Sequence, residues 1–160
     1  MPLGHSMTVQ SPTLRRGWYG DYDLTRRETF AFYTEEALRF ADLDRNGHVN
    51  NVAFTIFFEN SRVLFLTDIL PLPRDGTNSF VLAHLSIDYR AQLYYPGNVS
   101  AATRVVEVRN SSVVLGQAIF RDEECVACGH AIMVVIDRAS GRGVHIPEEL
   151  RRTVKDLLLR

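Results

Sequence analysis

The stretch Phe40-Ala41-Asp42-Leu43-Asp44-Arg45-Asn46-Gly47-His48-Val49-Asn50-Asn51 runs directly into Val52-Ala53-Phe54-Thr55-Ile56-Phe57-Phe58-Glu59-Asn60-Ser61-Arg62-Val63-Leu64-Phe65-Leu66-Thr67-Asp68-Ile69-Leu70 and stops at Pro71. The first part ends in Asp, Asn and Gly, the residues of a turn. The second opens on asparagines that can cap free backbone donors and closes at a proline that cannot continue a helix, so it predicts a helix of about five turns. Its apolar residues cover most of the circumference, and Thr55, Glu59 and Arg62 leave only a narrow polar stripe. Such a helix has to be covered on most sides.

Ahead of the turn, the alternation of Leu38, Phe40 and Asp42 predicts a strand ending there, while residues 18–32 give no clear pattern. After Pro71 the period changes to two. Val81, Ala83, Leu85, Ile87 and Tyr89 fall on one face of a strand, with His84 on the other beside Phe80 and Leu82. Three further strands follow over residues 99–108, 113–120 and 126–136, joined by Asn110-Ser111-Ser112 and Asp122-Glu123-Glu124, the short links of an antiparallel meander. Pro147, Glu148 and Glu149 open a last amphipathic helix. A flat sheet covers one side of a helix. A strongly curved antiparallel sheet wrapped around it covers more, and a second copy of the chain would close the rest, so a homodimer or homotetramer is expected.

Residues 1–17, rich in Pro, Gly, Ser and Thr, read as a flexible N-terminal arm, and residues 18–160 as one domain. With 46% hydrophobic and 23% charged residues the chain has the balance of a globular protein. A formal net charge of -1 and scattered arginine pairs argue against a nucleic-acid partner. No apolar run approaches the ~18 residues of a membrane helix, and no apolar leader block opens the chain, so no membrane partner and a cytoplasmic location are expected. Cys125-Val126-Ala127-Cys128 has redox spacing but lies in a strand-like run, where residues three apart should point to opposite faces. Two cysteines and one nearby histidine also fall short of a four-ligand metal site. No metal and no cofactor are expected.

A carboxylate in a turn, a histidine four residues on, and the start of a long buried helix next to both form a coherent chemical set. Free N–H groups at a helix start, with the helix dipole behind them, can polarise a carbonyl and hold an oxyanion, and a nearby carboxylate can activate water or attack. Each residue also has a plain structural use. Asp44 can hold its turn, Asn46 can take a left-handed conformation in it, His48 can orient neighbours, and Asn50 and Asn51 can cap the helix. Glu59 and Arg62 have the spacing of an ion pair. Arg90, Arg109 and Arg138 lie near strand ends, where they can meet phosphates. His84 reads as a packing residue.

The run from Asp42 to Asn51, followed by Phe54, Glu59 and Arg62, resembles the hotdog-fold thioesterases of the 4-hydroxybenzoyl-CoA and long-chain acyl-CoA thioesterase branch. It is also similar to the matching stretch of plant acyl-ACP thioesterases. The resemblance implies an α+β hotdog fold, a curved antiparallel sheet wrapped around a long central helix, and hydrolysis of an acyl-CoA or acyl-carrier-protein thioester. Asp44 then stands for the catalytic carboxylate, as base or nucleophile, and the Asn51 N–H for the oxyanion donor. Asp44, Asn46 and His48 match the Asp-x-Asn-x-His set of the acyl-ACP branch, with Asn50, Glu59 and Arg90 as substrate-binding candidates. A second hotdog branch places its acid on the central helix, where Glu59 lies. Asn50-Asn51 departs from the aromatic residues of the first branch, which bears on whether the acyl group is aromatic. A hotdog dehydratase and a non-catalytic acyl-CoA-binding protein are the alternative readings.

Overall fold

The structure is a computed structural model and describes residues 17–73 and 75–158. The proposed arm therefore lies outside the described residues except for Gly17, whose N–H donates to Asp88 at 3.3 Å and whose carbonyl accepts from Leu24 N at 2.8 Å.

In chain order the elements are β1 (Trp18–Tyr19), β2 (Tyr22–Asp23), β3 (Tyr33–Ala37), α1 (Asn51–Asp68), β4 (Asn78–Tyr89), β5 (Asn98–Val108), β6 (Ser112–Arg121), β7 (Glu124–Asp137) and α2 (Glu148–Leu158). β1 and β2 form a small hairpin. The other strands make one antiparallel sheet in the order β3-β5-β6-β7-β4. The helix α1 lies against β3, β5 and β6 on the inner face. This is the hotdog fold.

The helix starts where its cap lies: Asn50 Oδ1 accepts from Val52 N at 2.9 Å. Its buried face carries Ala53, Phe54, Phe57, Phe58, Phe65 and Leu66. Burying each phenylalanine contributes about 2–3 kcal/mol against its exposed state. Two apolar clusters lie beneath it, one built on Phe54, Phe57, Phe58 and Ile119, the other on Phe65, Leu115, Val135 and Leu150 of α2. A layer of buried polar groups lies between: Ser61 Oγ sits 2.8 Å from Thr103 Oγ1, and Gln117 Nε2 donates to Phe58 O and Thr103 Oγ1, both at 2.9 Å. On the outer face Leu24, Phe30 and Tyr22 of the N-terminal segment cover Val106, Ala118, Phe120 and Cys128. With both faces covered, β6 is buried from Ser112 to Phe120.

Two sequence expectations fail, each for a local reason. Residues 40–42 form a 3-10 turn rather than the end of a strand, because Asp42 folds back on the Arg39 N–H at 2.8 Å. A register shift between Leu82 and His84 breaks the alternation of β4. Leu82 pairs with Met133 but His84 with Ile132, so His84 leaves the Leu82 face and stacks on His130 at 5.3 Å. Val81, opposite Val134, likewise parts from Leu85 and Ile87. The sheet leaves one side of α1 uncovered, as its mostly apolar circumference led one to expect: Val52, Ile56, Val63 and Leu64 are exposed.

Candidate active site

The loop between the 3-10 turn and α1 is closed by three backbone contacts. Asn50 N donates to Asp42 O at 2.7 Å, Asp44 N donates to His48 O at 2.8 Å, and Leu43 bridges Val49. Gly47, at φ +80°, takes the left-handed conformation that reverses the chain, a task expected of Asn46. Val49 N donates to Leu93 O at 2.9 Å and ties this loop to the segment leaving β4. Arg90 N and Ala91 N hold that segment by both donating to Val126 O, at 2.9 and 3.1 Å.

A cavity of about 270 Å³ opens between the two segments, lined by Asp44, His48, Asn51, Phe54, Tyr89 and Arg90 among others. Asp44 Oδ1 accepts from Asn46 N at 2.7 Å and from His48 N at 3.2 Å, so one oxygen serves the turn. The carboxylate remains half-exposed at the cavity. Asp42 behaves differently. It is buried, Arg39 donates to it from Nη2 at 2.6 Å and Nε at 3.1 Å, and these bonds hold its carboxyl below the ordinary carboxylate range.

At the other wall, the first helical N–H groups divide their acceptors. Val52 N takes Asn50 Oδ1 and Ala53 N takes Asn50 O, while the Asn51 N–H has no acceptor among the described residues. No acidic residue stands in the first turn of α1, so nothing within the helix offsets the positive end of its dipole. The arrangement can polarise a carbonyl oxygen at the helix start with a carboxylate across the cavity.

The sequence candidates divide accordingly. Asp44, His48, Asn51 and Arg90 come together; Asn46 supports Asp44 through its N–H, and Asn50 is the cap. Glu59 is exposed, two turns along α1 from Asn51, and is not part of the cavity wall. No Glu59–Arg62 ion pair exists among the described residues, because Arg62 turns into the core, where Nη1 donates to Gln117 Oε1 at 3.2 Å. Burial lowers the Arg62 pKa, and the field of Glu59 offsets that only in part. Arg109 pairs with Glu107 on the outer face, and Arg138 donates to Asn78 O. Tyr89, read from the period as a strand residue, and Gln92, for which the sequence offered no role, also line the cavity. A tyrosine beside Arg90 at a strand end was the available signal. Tyr89 packs edge-on to Phe54 at 5.4 Å, and Tyr94 packs edge-on to His48 at 5.1 Å. Among the described residues no group of three His, Cys, Asp or Glu could hold a metal ion.

The family model described as "Thioesterase-like superfamily" matches residues 38–154, a span that contains the whole cavity. The chain belongs to the thioesterase-like superfamily. Among solved structures, this superfamily member is similar to the PA5185 protein of Pseudomonas aeruginosa PAO1, with 32% identity, a TM-score of 0.75, and coverage of 83% of this chain and 95% of that one. It is also similar to a thioesterase from Thermus thermophilus solved with coenzyme A and zinc, with 28% identity, a TM-score of 0.72, and coverage of 82% and 96%. A curated relative, uncharacterized protein YsmA of Bacillus subtilis strain 168, is 26% identical over 131 residues, 80% of this chain and 88% of that protein. Membership of the superfamily supports thioester hydrolysis as the general chemistry.

Proposed function

We propose that this protein hydrolyses acyl-CoA thioesters in the cytoplasm. The observation that carries the reading is the placement of the Asp44 carboxylate and the open helix start at Asn51 on one cavity. The acyl oxygen is held by the Asn51 N–H. Asp44 acts as base on water or as nucleophile, with Asn46 steadying the carboxylate and His48 fixing the water. With Asp44 as base, water loses its proton to Asp44 and bonds to the acyl carbon, the oxyanion rests at the helix start, and collapse expels the thiolate, which takes the proton back.

Two further observations fit. Arg90 stands at the cavity, where a guanidinium suits a phosphate of coenzyme A, and the similar thioesterase of T. thermophilus was solved with coenzyme A. Val52, Ile56 and Val63 of α1 are exposed and β4 is an edge strand of the sheet, so the working form is proposed to be a homodimer or a pair of such dimers.

The test is release of free thiol from acyl-CoAs of increasing chain length, by wild type and by Asp44→Asn. Turnover lost in a folded variant supports the reading, and an equally active variant sinks the role of Asp44. Coenzyme A binding with no thiol release from acyl-CoA or acyl-carrier-protein would leave a binding protein instead.

A further inference from the structure

Cys125 and Cys128 sit where an unbroken strand would hold their side chains on opposite faces. The strand is not unbroken. Ile119 pairs with Ala127 and Phe120 with Cys125, so Val126 is an extra residue in β7 and the alternation resets across it. Ala118 and Phe120, the partners of Cys128 and Cys125, both belong to the outer cluster, and both sulfurs therefore lie on the outer face, behind the cavity. Both thiols are free, Cys128 buried and Cys125 partly exposed.

The surroundings favour chemistry at this pair. Cys125 Sγ lies 3.4 Å from Ala127 O and 4.0 Å from Leu24 O. A Cβ on Gly17 would fall 2.5 Å from Thr25 Cγ2 and 3.5 Å from both Cys128 Sγ and Arg90 Nη1, so the sulfur and the guanidinium both border the space beside Gly17. Interaction with the Cys125 thiol lowers the pKa of Cys128 against the effect of burial, with the Arg90 charge adding to the lowering, and the same interaction raises that of Cys125.

We propose that Cys125 and Cys128 form a dithiol modification site that hydroperoxides oxidise to an intrachain disulfide. Cys128, as thiolate, attacks the distal oxygen of the hydroperoxide. An S–O bond forms, the O–O bond breaks, and the alkoxide or hydroxide leaves with the proton Cys128 gave up. Cys125 sulfur then attacks the sulfenic sulfur; the S–S bond forms, the S–O bond breaks, and water leaves with the Cys125 proton. Two electrons and two hydrogens pass from the dithiol to the hydroperoxide, and no other reactant is needed.

The test exposes the reduced full-length protein to hydrogen peroxide, then alkylates it under denaturant and reads intact mass and a peptide map. The expected product is lighter by two hydrogens, carries no alkyl group on either cysteine, holds Cys125 and Cys128 linked within one chain, and reverts with dithiothreitol. Cys125→Ser should convert that loss into oxygen added at Cys128. Both thiols still open to alkylation, oxygen on Cys125 with Cys128 untouched, or a link between two chains would each overturn the proposal. The wild-type map decides alone if Cys125→Ser fails to fold.

Discussion

Asp42 and Asp44 stand two residues apart in one loop and are held in opposite ways. Asp42 is closed off by Arg39 beneath the 3-10 turn, whereas Asp44 gives one oxygen to the turn and stays open to the cavity. Structure and proposed chemistry are thereby divided between two identical side chains.

Substitution should separate them. Asp44→Asn is expected to lower the rate of thiol release by roughly 10²–10⁴, the range of a lost general base, with little change in melting temperature. Asp42→Asn should do the reverse, with turnover near wild type once folded and stability lower by about 1 kcal/mol, a modest figure because Arg39 is largely exposed and solvent screens the pair. The Asp42 pKa is lowered in the fold, so this contribution is present at neutral pH and is lost as pH falls below the ordinary aspartate value through the lowered one. Acid titration of both variants by circular dichroism checks the sign, and equal loss of activity in both would remove the division.

Asn50 is expected to act as a cap. Asn50→Ala removes the acceptor for Val52 N and should cost about 1 kcal/mol, read from urea unfolding. KM for the acyl-CoA should stay unchanged. A raised KM at unchanged stability would make Asn50 a substrate contact instead.

His130 gives a second pH dependence, of the same sign but in a higher pH window. Burial lowers its pKa, and the facing His84 and Arg109 lower it further against the field of Asp88. The unfolded chain then binds a proton near the ordinary value of about 6.5 while the folded chain does not, so stability should fall as pH drops from about 6.5 to the lowered value, then level off. His130→Phe should flatten that part of a melting-temperature profile. An unchanged profile would place its cause at another group.

Gly129 tolerates no side chain. A Cβ there would sit 1.8 Å from the Ser86 carbonyl oxygen, inside the β4–β7 pairing. Gly129→Ala should part the two strands and cost more than about 3 kcal/mol, or yield no folded protein. A melting temperature near wild type would mean that β4 can shift outward freely.

The sequence carried the long helix and the meander because their signals are local. Asn50 caps, Pro71 blocks, and the four later strands alternate over many residues. It carried the cavity wall at Asp44, His48 and Asn51 for the same reason, since all belong to one continuous loop and helix start. Tyr89 and Gln92 reach the cavity only because Val49 N pairs with Leu93 O, a contact across more than forty residues that no window contains. Bulges account for the rest. One inserted residue at Ala83 moves His84 to the other face, and another at Val126 brings two cysteines together. Period counting assumes an unbroken ladder. Arg62 was misjudged because helical spacing records which residues neighbour one another on the helix, not which way a long side chain turns when the sheet offers it Gln117.

The cavity residues of this chain all come from two short tracts, 44–54 and 89–92, while β5, β6, β7 and α2 supply none of them. Under the proposed function, substrate preference is read from these two tracts, and a graft of residues 42–93 between relatives should carry one member's preference onto another's sheet.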